Sequence, residues 1–137
     1  MENTLIFLPV LVQVFLVILL YLKLGKVKKL ESAAGNVNEE RRGLYEDAWP
    51  ESVQKINNCI KNQFEVPVLF YVLVLVIWSV STVNLITHII VWLFVISRYV
   101  HAYIHTGSNY VPRRRAAFTL GCLAVIALLV IALIAIV

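Results

Sequence analysis

Arg98, His101 and His105 recur at steps of three and four residues, which places them on one face of a helix. Upstream, Asn58, Asn62 and Glu65 share a face in the same way, with Lys61 at its border and Pro67 just beyond. Ionisable groups beside hydrocarbon are expensive and face a bundle interior with a partner. The economical pairing is Glu65 with Arg98, one from each of two neighbouring helices. A third set, Pro112-Arg113-Arg114-Arg115, brings guanidiniums to the same end of the chain's helices. Arginine forks bind carboxylates bidentately, so the chemistry these residues offer is recognition of an anion. Plainer readings exist for each set: a buried ion pair that fixes helix register, and a basic tract that sets membrane orientation. Proton relay or transport is the generic alternative for intramembrane Glu, Arg and His. No inverted repeat or pair of broken helices is present, which counts against a transporter. His101 and His105 have the i,i+4 spacing of a metal pair, but no third protein ligand is evident, so no metal site is assigned.

The elements that must carry these residues are apolar. The chain has 137 residues, 61% of them hydrophobic and only 15% charged, with a mean hydropathy of +0.84. A soluble domain is about a quarter charged. Four spans of ~20 residues would use roughly 80 and leave room only for short loops, which excludes a large catalytic domain outside the membrane. Four apolar stretches are present, at residues 5–24, 66–83, 85–105 and 116–137. The expected fold is therefore an all-α integral membrane protein, a four-transmembrane-helix bundle forming a single domain over 1–137. Asn3 and Thr4 are cap candidates for the first helix, and Pro9 sits in its early turns, where proline costs least. A cleavable signal peptide fits poorly: a basic leader region is missing, Glu2 has the wrong sign, and lysines follow instead of a cleavage site.

Basic residues orient the bundle. Eight of the twelve Lys and Arg lie at or between the ends of spans one and two, from Lys23 to Lys61. The other four, Arg98 and Arg113 to Arg115, lie at or between those of spans three and four. The positive-inside rule puts both loops in the cytoplasm and both termini outside. The charge of +4 is thus explained by topology, with anionic headgroups as its generic partner and no nucleic acid. The first loop, residues 25–65, is the only sizeable polar segment. After Trp49-Pro50 its register turns helical, with Val53, Ile56, Ile60 and Phe64 on one buried face, so the second helix should start near Pro50 below the membrane. The two cysteines, Cys59 and Cys122, lie in different compartments, so a mutual disulfide is implausible and both read as small buried apolar residues.

Four short spans with termini outside, Asn62-x-x-Glu65-x-Pro67 entering span two and Arg98-x-x-His101 leaving span three resemble the MAPEG family. Its members act in eicosanoid and glutathione metabolism and include the microsomal glutathione transferases and the leukotriene and prostaglandin synthases. The resemblance covers nearly the whole chain in architecture and Asn58 to Leu120 in motif. The tract from Asn62 to Phe70 together with Arg98-Tyr99-Val100-His101 is most similar to the family's bacterial branch.

The resemblance implies a homotrimer in the inner membrane, with glutathione as co-substrate in a cytoplasm-facing site between subunits. A lipophilic small-molecule substrate would arrive through the membrane lipids. Asn62 and Glu65 match helix-two glutathione contacts, Arg98 and His101 the helix-three pair, and Lys23 a basic residue that holds a carboxylate. Asn58, Lys61 and His105 complete the implied binding set. Arg114, with Arg115 second, matches the arginine near the thiol, where a cation favours the thiolate. The implied reaction is thiolate addition to a lipophilic electrophile or reduction of a lipid hydroperoxide. The chain departs from the eicosanoid synthases at Asn58 and Lys61, where they carry more arginine, and at His105 and Phe118, where the prostaglandin synthase has tyrosines. These departures argue against a dedicated eicosanoid enzyme. The alternative is a non-catalytic trimeric lipid-binding or scaffold protein of the same fold.

Overall fold

A run of apolar residues without a helix breaker continues as helix until something stops it, and here the stop comes later than the apolar run does. The computed structural model describes residues 3–137. Helix α1 spans Phe7–Ala33, nine residues past the apolar boundary at Leu24. At about 40 Å it exceeds the ~30 Å hydrocarbon core, so its last turns, with Lys26, Lys28 and Lys29, project beyond it. Its C-terminus is closed by Gly35 at φ 75°: the Gly35 N–H donates to Ser32 O and the Asn36 N–H to Glu31 O. That paired return is the Schellman arrangement, and glycine takes the left-handed backbone it needs without a Cβ penalty. At the other end Asn3–Ile6 form a 3-10 turn, and the residue capping α1 is Ile6, with no side-chain cap bond. Asn3 and Thr4 therefore do not cap the helix as expected. Glu2, which weighs against a signal peptide, lies outside the described residues.

The loop that follows is anchored by Trp49, which packs with Val37, Ala48 and Val53 against Leu24 and Val27 of α1. Lys28 and Arg42 stand over the Trp49 ring at 4.7 and 4.8 Å. Helix α2, Glu51–Gln63, starts where Trp49-Pro50 indicates and buries Val53, Ile56, Cys59, Ile60 and Gln63. It ends before Phe64, which is exposed rather than buried. The reason is Pro67. It has no N–H for the Gln63 carbonyl and its ring would collide with that carbonyl, so the chain breaks at Phe64–Glu65 and restarts. Helix α3, Val66–Ser79, continues upward from the break. A short turn leads to α4, Leu85–Thr106, capped by Asn84, whose Oδ1 accepts from the Thr87 N–H at 3.0 Å. Helix α5 spans Val111–Ile136. It starts five residues before the apolar boundary at Ala116, so the arginine tract lies on its first turn, where Pro112 is tolerated.

Among the described residues the elements comprise four helical rods long and apolar enough to cross a membrane, with α2 and α3 sharing one. Helix α4 packs against α1, α2 and, most extensively, α5. Phe70 and Phe94 stack at 4.2 Å in the core, among Val74, Ile77, Val91 and Leu128. A second cluster, nearer the basic end, joins Leu16 and Leu20 of α1 to Ile56, Cys59 and Ile60 of α2 and Ala102 of α4. Gly121 lets α5 approach α4 closely: a Cβ there would lie 2.9 Å from Ser97 Oγ. This contact seats Arg98, whose Cδ lies 3.7 Å from the same point. The exposed faces of α1, α3 and α5 are lined with Leu, Ile and Val, as a lipid-facing surface requires.

Candidate functional site

Helical spacing on α4 puts Arg98, His101 and His105 in line, and all are buried, at 0, 2 and 4% exposure. The His101 and His105 rings meet edge to face, 5.3 Å between centroids, and Phe118 of α5 lies 5.8 Å from the His101 ring. Together Asn62 from the end of α2, His101 and His105 from α4, and Arg114, Arg115 and Phe118 from α5 line a cleft of about 240 Å³. Its wall is built from three helix segments, and the break after α2 leaves Asn62 in the last turn of that helix, facing it. Arg114 is held by the Oδ1 of Asn109, a residue in the left-handed turn (φ 53°) between α4 and α5. Asparagine suits such a turn because its short amide side chain tolerates that backbone.

Arg98 lies behind this cleft. Its Nη2 donates to the Asn62 carbonyl at 3.4 Å, a long bond, while Nε and Nη1 are buried with no partner. Its Cζ stands 5.8 Å from the Phe118 ring. The expected ion pair with Glu65 does not form: Glu65 is exposed, and every salt bridge among the described residues involves other groups. The pairing assumed one unbroken helix through residue 65. The Pro67 break instead turns Glu65 outward at the start of α3.

The other predicted ligands divide. Asn62, His101, His105, Arg114 and Arg115 are brought together in the cleft, with Arg98 against its back. Lys23 is elsewhere, donating to Thr106 Oγ1 at 2.9 Å across the basic ends of α1 and α4. Lys61 is taken by Glu46 at 2.7 Å in an exposed ion pair, and Asn58 is exposed on the same side of α2. So within one chain the cleft holds two arginines at its surface and a third behind it, and among the described residues no carboxylate lines it. A cavity with that donor set suits an anion, and the buried Arg98 behind it adds positive charge without touching the cleft.

Three polar residues escaped sequence reasoning. Gln13 of α1 donates to Gln63 Oε1 at 3.0 Å, and Gln63 Nε2 donates to the Cys59 carbonyl at 3.0 Å and approaches Cys59 Sγ at 3.8 Å. Cys59 Sγ and one nitrogen from each of His101 and His105 lie within 4.8 Å of one another. A cysteine on another helix thus stands beside the two imidazoles, where the sequence showed no third candidate. Gln13 carried a signal, as a polar residue inside the first apolar run; Cys59 carried none.

On the far side of the α4–α5 pair, Ser97, Val100, Ile104, Ala117 and Leu120 line an apolar groove of about 390 Å³, with Arg113 at its edge.

A model described as the MAPEG family matches residues 6–134, nearly the whole chain. No match was found among curated proteins or among solved structures.

Proposed function

The chain belongs to the MAPEG family, and from that premise we propose that it is a glutathione-dependent transferase or peroxidase acting on lipophilic electrophiles or lipid hydroperoxides. The observation that carries this reading is the cleft of Asn62, His101, His105, Arg114 and Arg115, backed by a buried Arg98 that lacks a carboxylate partner. Glutathione supplies two carboxylates and a thiol, and the thiol attacks only when ionised. Arg114 and Arg115 hold the anionic groups and favour the thiolate, while Asn62 orients the peptide part. Arg98 acts through the site rather than in it: its positive charge, screened little in the low-dielectric interior, keeps an anion favourable there. The cleft is smaller than the ~300–1,000 Å³ usual for small-molecule pockets. That supports its completion by a neighbouring copy in a homotrimer, whose Lys23, Asn58, Lys61 or Glu65 would then add to it.

The basic ends of α1, α2, α4 and α5 all lie at the cleft end, which supports a cytoplasmic cleft, outward termini and an inner-membrane location. A second reading, a non-catalytic trimeric lipid-binding or scaffold protein, is favoured by the apolar groove with Arg113 at its edge, which suits an acyl chain with an anionic head. Conjugation of glutathione to an aryl halide by the detergent-purified protein separates the two, with Arg114→Ala as control. Loss of conjugation in the variant is expected. Neither conjugation nor glutathione binding at millimolar concentration would leave only the lipid-binding reading. Cross-linking in native membranes should trap trimers, and a dominant monomer would count against the shared site.

A further inference from the structure

Behind the cleft wall, Cys59 of α2 meets the two histidines of α4. All are at least nine-tenths buried, and their ligand atoms lie within 4.8 Å of one another. The Nδ1 atoms of His101 and His105 are buried with no hydrogen-bond partner, a costly state for a polar atom. Nothing in the proposed glutathione chemistry uses Cys59, which does not line the cleft.

We propose that Cys59, His101 and His105 form a trigonal binding site for a cuprous ion. Three considerations select it. Trigonal coordination with bonds of about 2.0–2.3 Å sets the ligand atoms roughly 3.5–4 Å apart, so small side-chain rotations close the observed spacing. A softer thiolate with two imidazoles is a donor set copper accepts, and soft sulfur favours the cuprous state. The third consideration is charge. Binding releases the Cys59 proton to solvent as the Cu–S bond forms, so thiolate plus monovalent copper is neutral. A divalent zinc ion would leave an extra positive charge one turn from the buried Arg98, and it would want a fourth ligand. No fourth Cys, His, Asp or Glu joins the cluster among the described residues. Gln63 Nε2, 3.8 Å from Cys59 Sγ, would steady the thiolate from outside the coordination sphere. Both imidazoles also line the cleft, which gives the ion a way in.

The test offers copper to the full-length protein in detergent, without glutathione, as the cuprous bicinchoninate complex under anaerobic conditions. The expected result is one copper per chain, with X-ray absorption showing one sulfur and two nitrogen neighbours. Cys59→Ser and His105→Gln should each abolish retention, and His105→Gln reads the site without touching the α2 core. Gln63→Leu should weaken retention by about 10–100-fold. Absence of copper transfer, wild-type copper retention by Cys59→Ser and His105→Gln, or zinc displacing copper at equal concentration would each overturn the proposal.

Discussion

Replacing Arg98 with methionine should make the ligand-free protein more stable while removing its response to glutathione. A guanidinium with no exposure bears an effective desolvation cost of several kcal/mol. Against that stand one long hydrogen bond to the Asn62 carbonyl, worth at most about 1.5–3 kcal/mol, and a distant contact with the Phe118 ring, about 0.5–2 kcal/mol. Two of its nitrogens return nothing. Methionine keeps most of the stem that packs near Gly121, and apolar replacement of buried ionic groups has stabilised proteins by about 1–4 kcal/mol. We expect a gain at the lower end of that range, because the Asn62 carbonyl loses its partner. Unfolding by dodecyl sulfate in mixed micelles, with and without glutathione, reads both effects. At a glutathione concentration 100 times its dissociation constant the wild type should gain about 2.7 kcal/mol, and Arg98→Met nothing comparable. A loss of about 3–5 kcal/mol in the ligand-free variant would refute the reasoning, because that is the mark of a cation whose protein partner has been stranded.

Other substitutions test the neighbouring packing. Glu65→Gln should change stability by less than about 0.5 kcal/mol in the same titration, since the exposed carboxylate pairs with nothing buried. Gly121→Ala should lower stability by about 1–3 kcal/mol through overpacking against Ser97 Oγ, less the ~1 kcal/mol that alanine gains in a helix. Adding Ser97→Ala removes the clashing atom and should restore most of the loss. Gln63→Leu strands the Gln13 amide and should cost about 1–3 kcal/mol, whereas Gln13→Leu with Gln63→Leu should come out close to neutral.

The spans were legible because unbroken apolar runs in a chain with so few charges leave no other way to cover the surface. Their ends were less legible. Helix α1 runs on through lysines and a glutamate because those residues favour helix as well as leucine does, and only Gly35 stops it. Helical spacing correctly aligned Arg98, His101 and His105, since nothing interrupts α4. The same reasoning failed for Glu65, because Pro67 ends the register that the spacing assumed. Asn62 still lines the cleft, since it precedes the break. Lys23 and Lys61 illustrate a different limit: each finds a local partner, Thr106 or Glu46, that charge patterning alone does not reveal. Cys59 was beyond sequence reasoning, because a single cysteine on an apolar face reads as core until another helix brings two imidazoles to it.

Calorimetric titration of glutathione into the detergent-purified protein tests the anion-binding cleft most directly. Saturable binding at millimolar concentration or tighter is predicted, with Arg114→Ala binding more weakly and conjugating an aryl halide about 100-fold more slowly. No heat of binding at millimolar glutathione, or binding and conjugation unchanged in Arg114→Ala, would contradict the account.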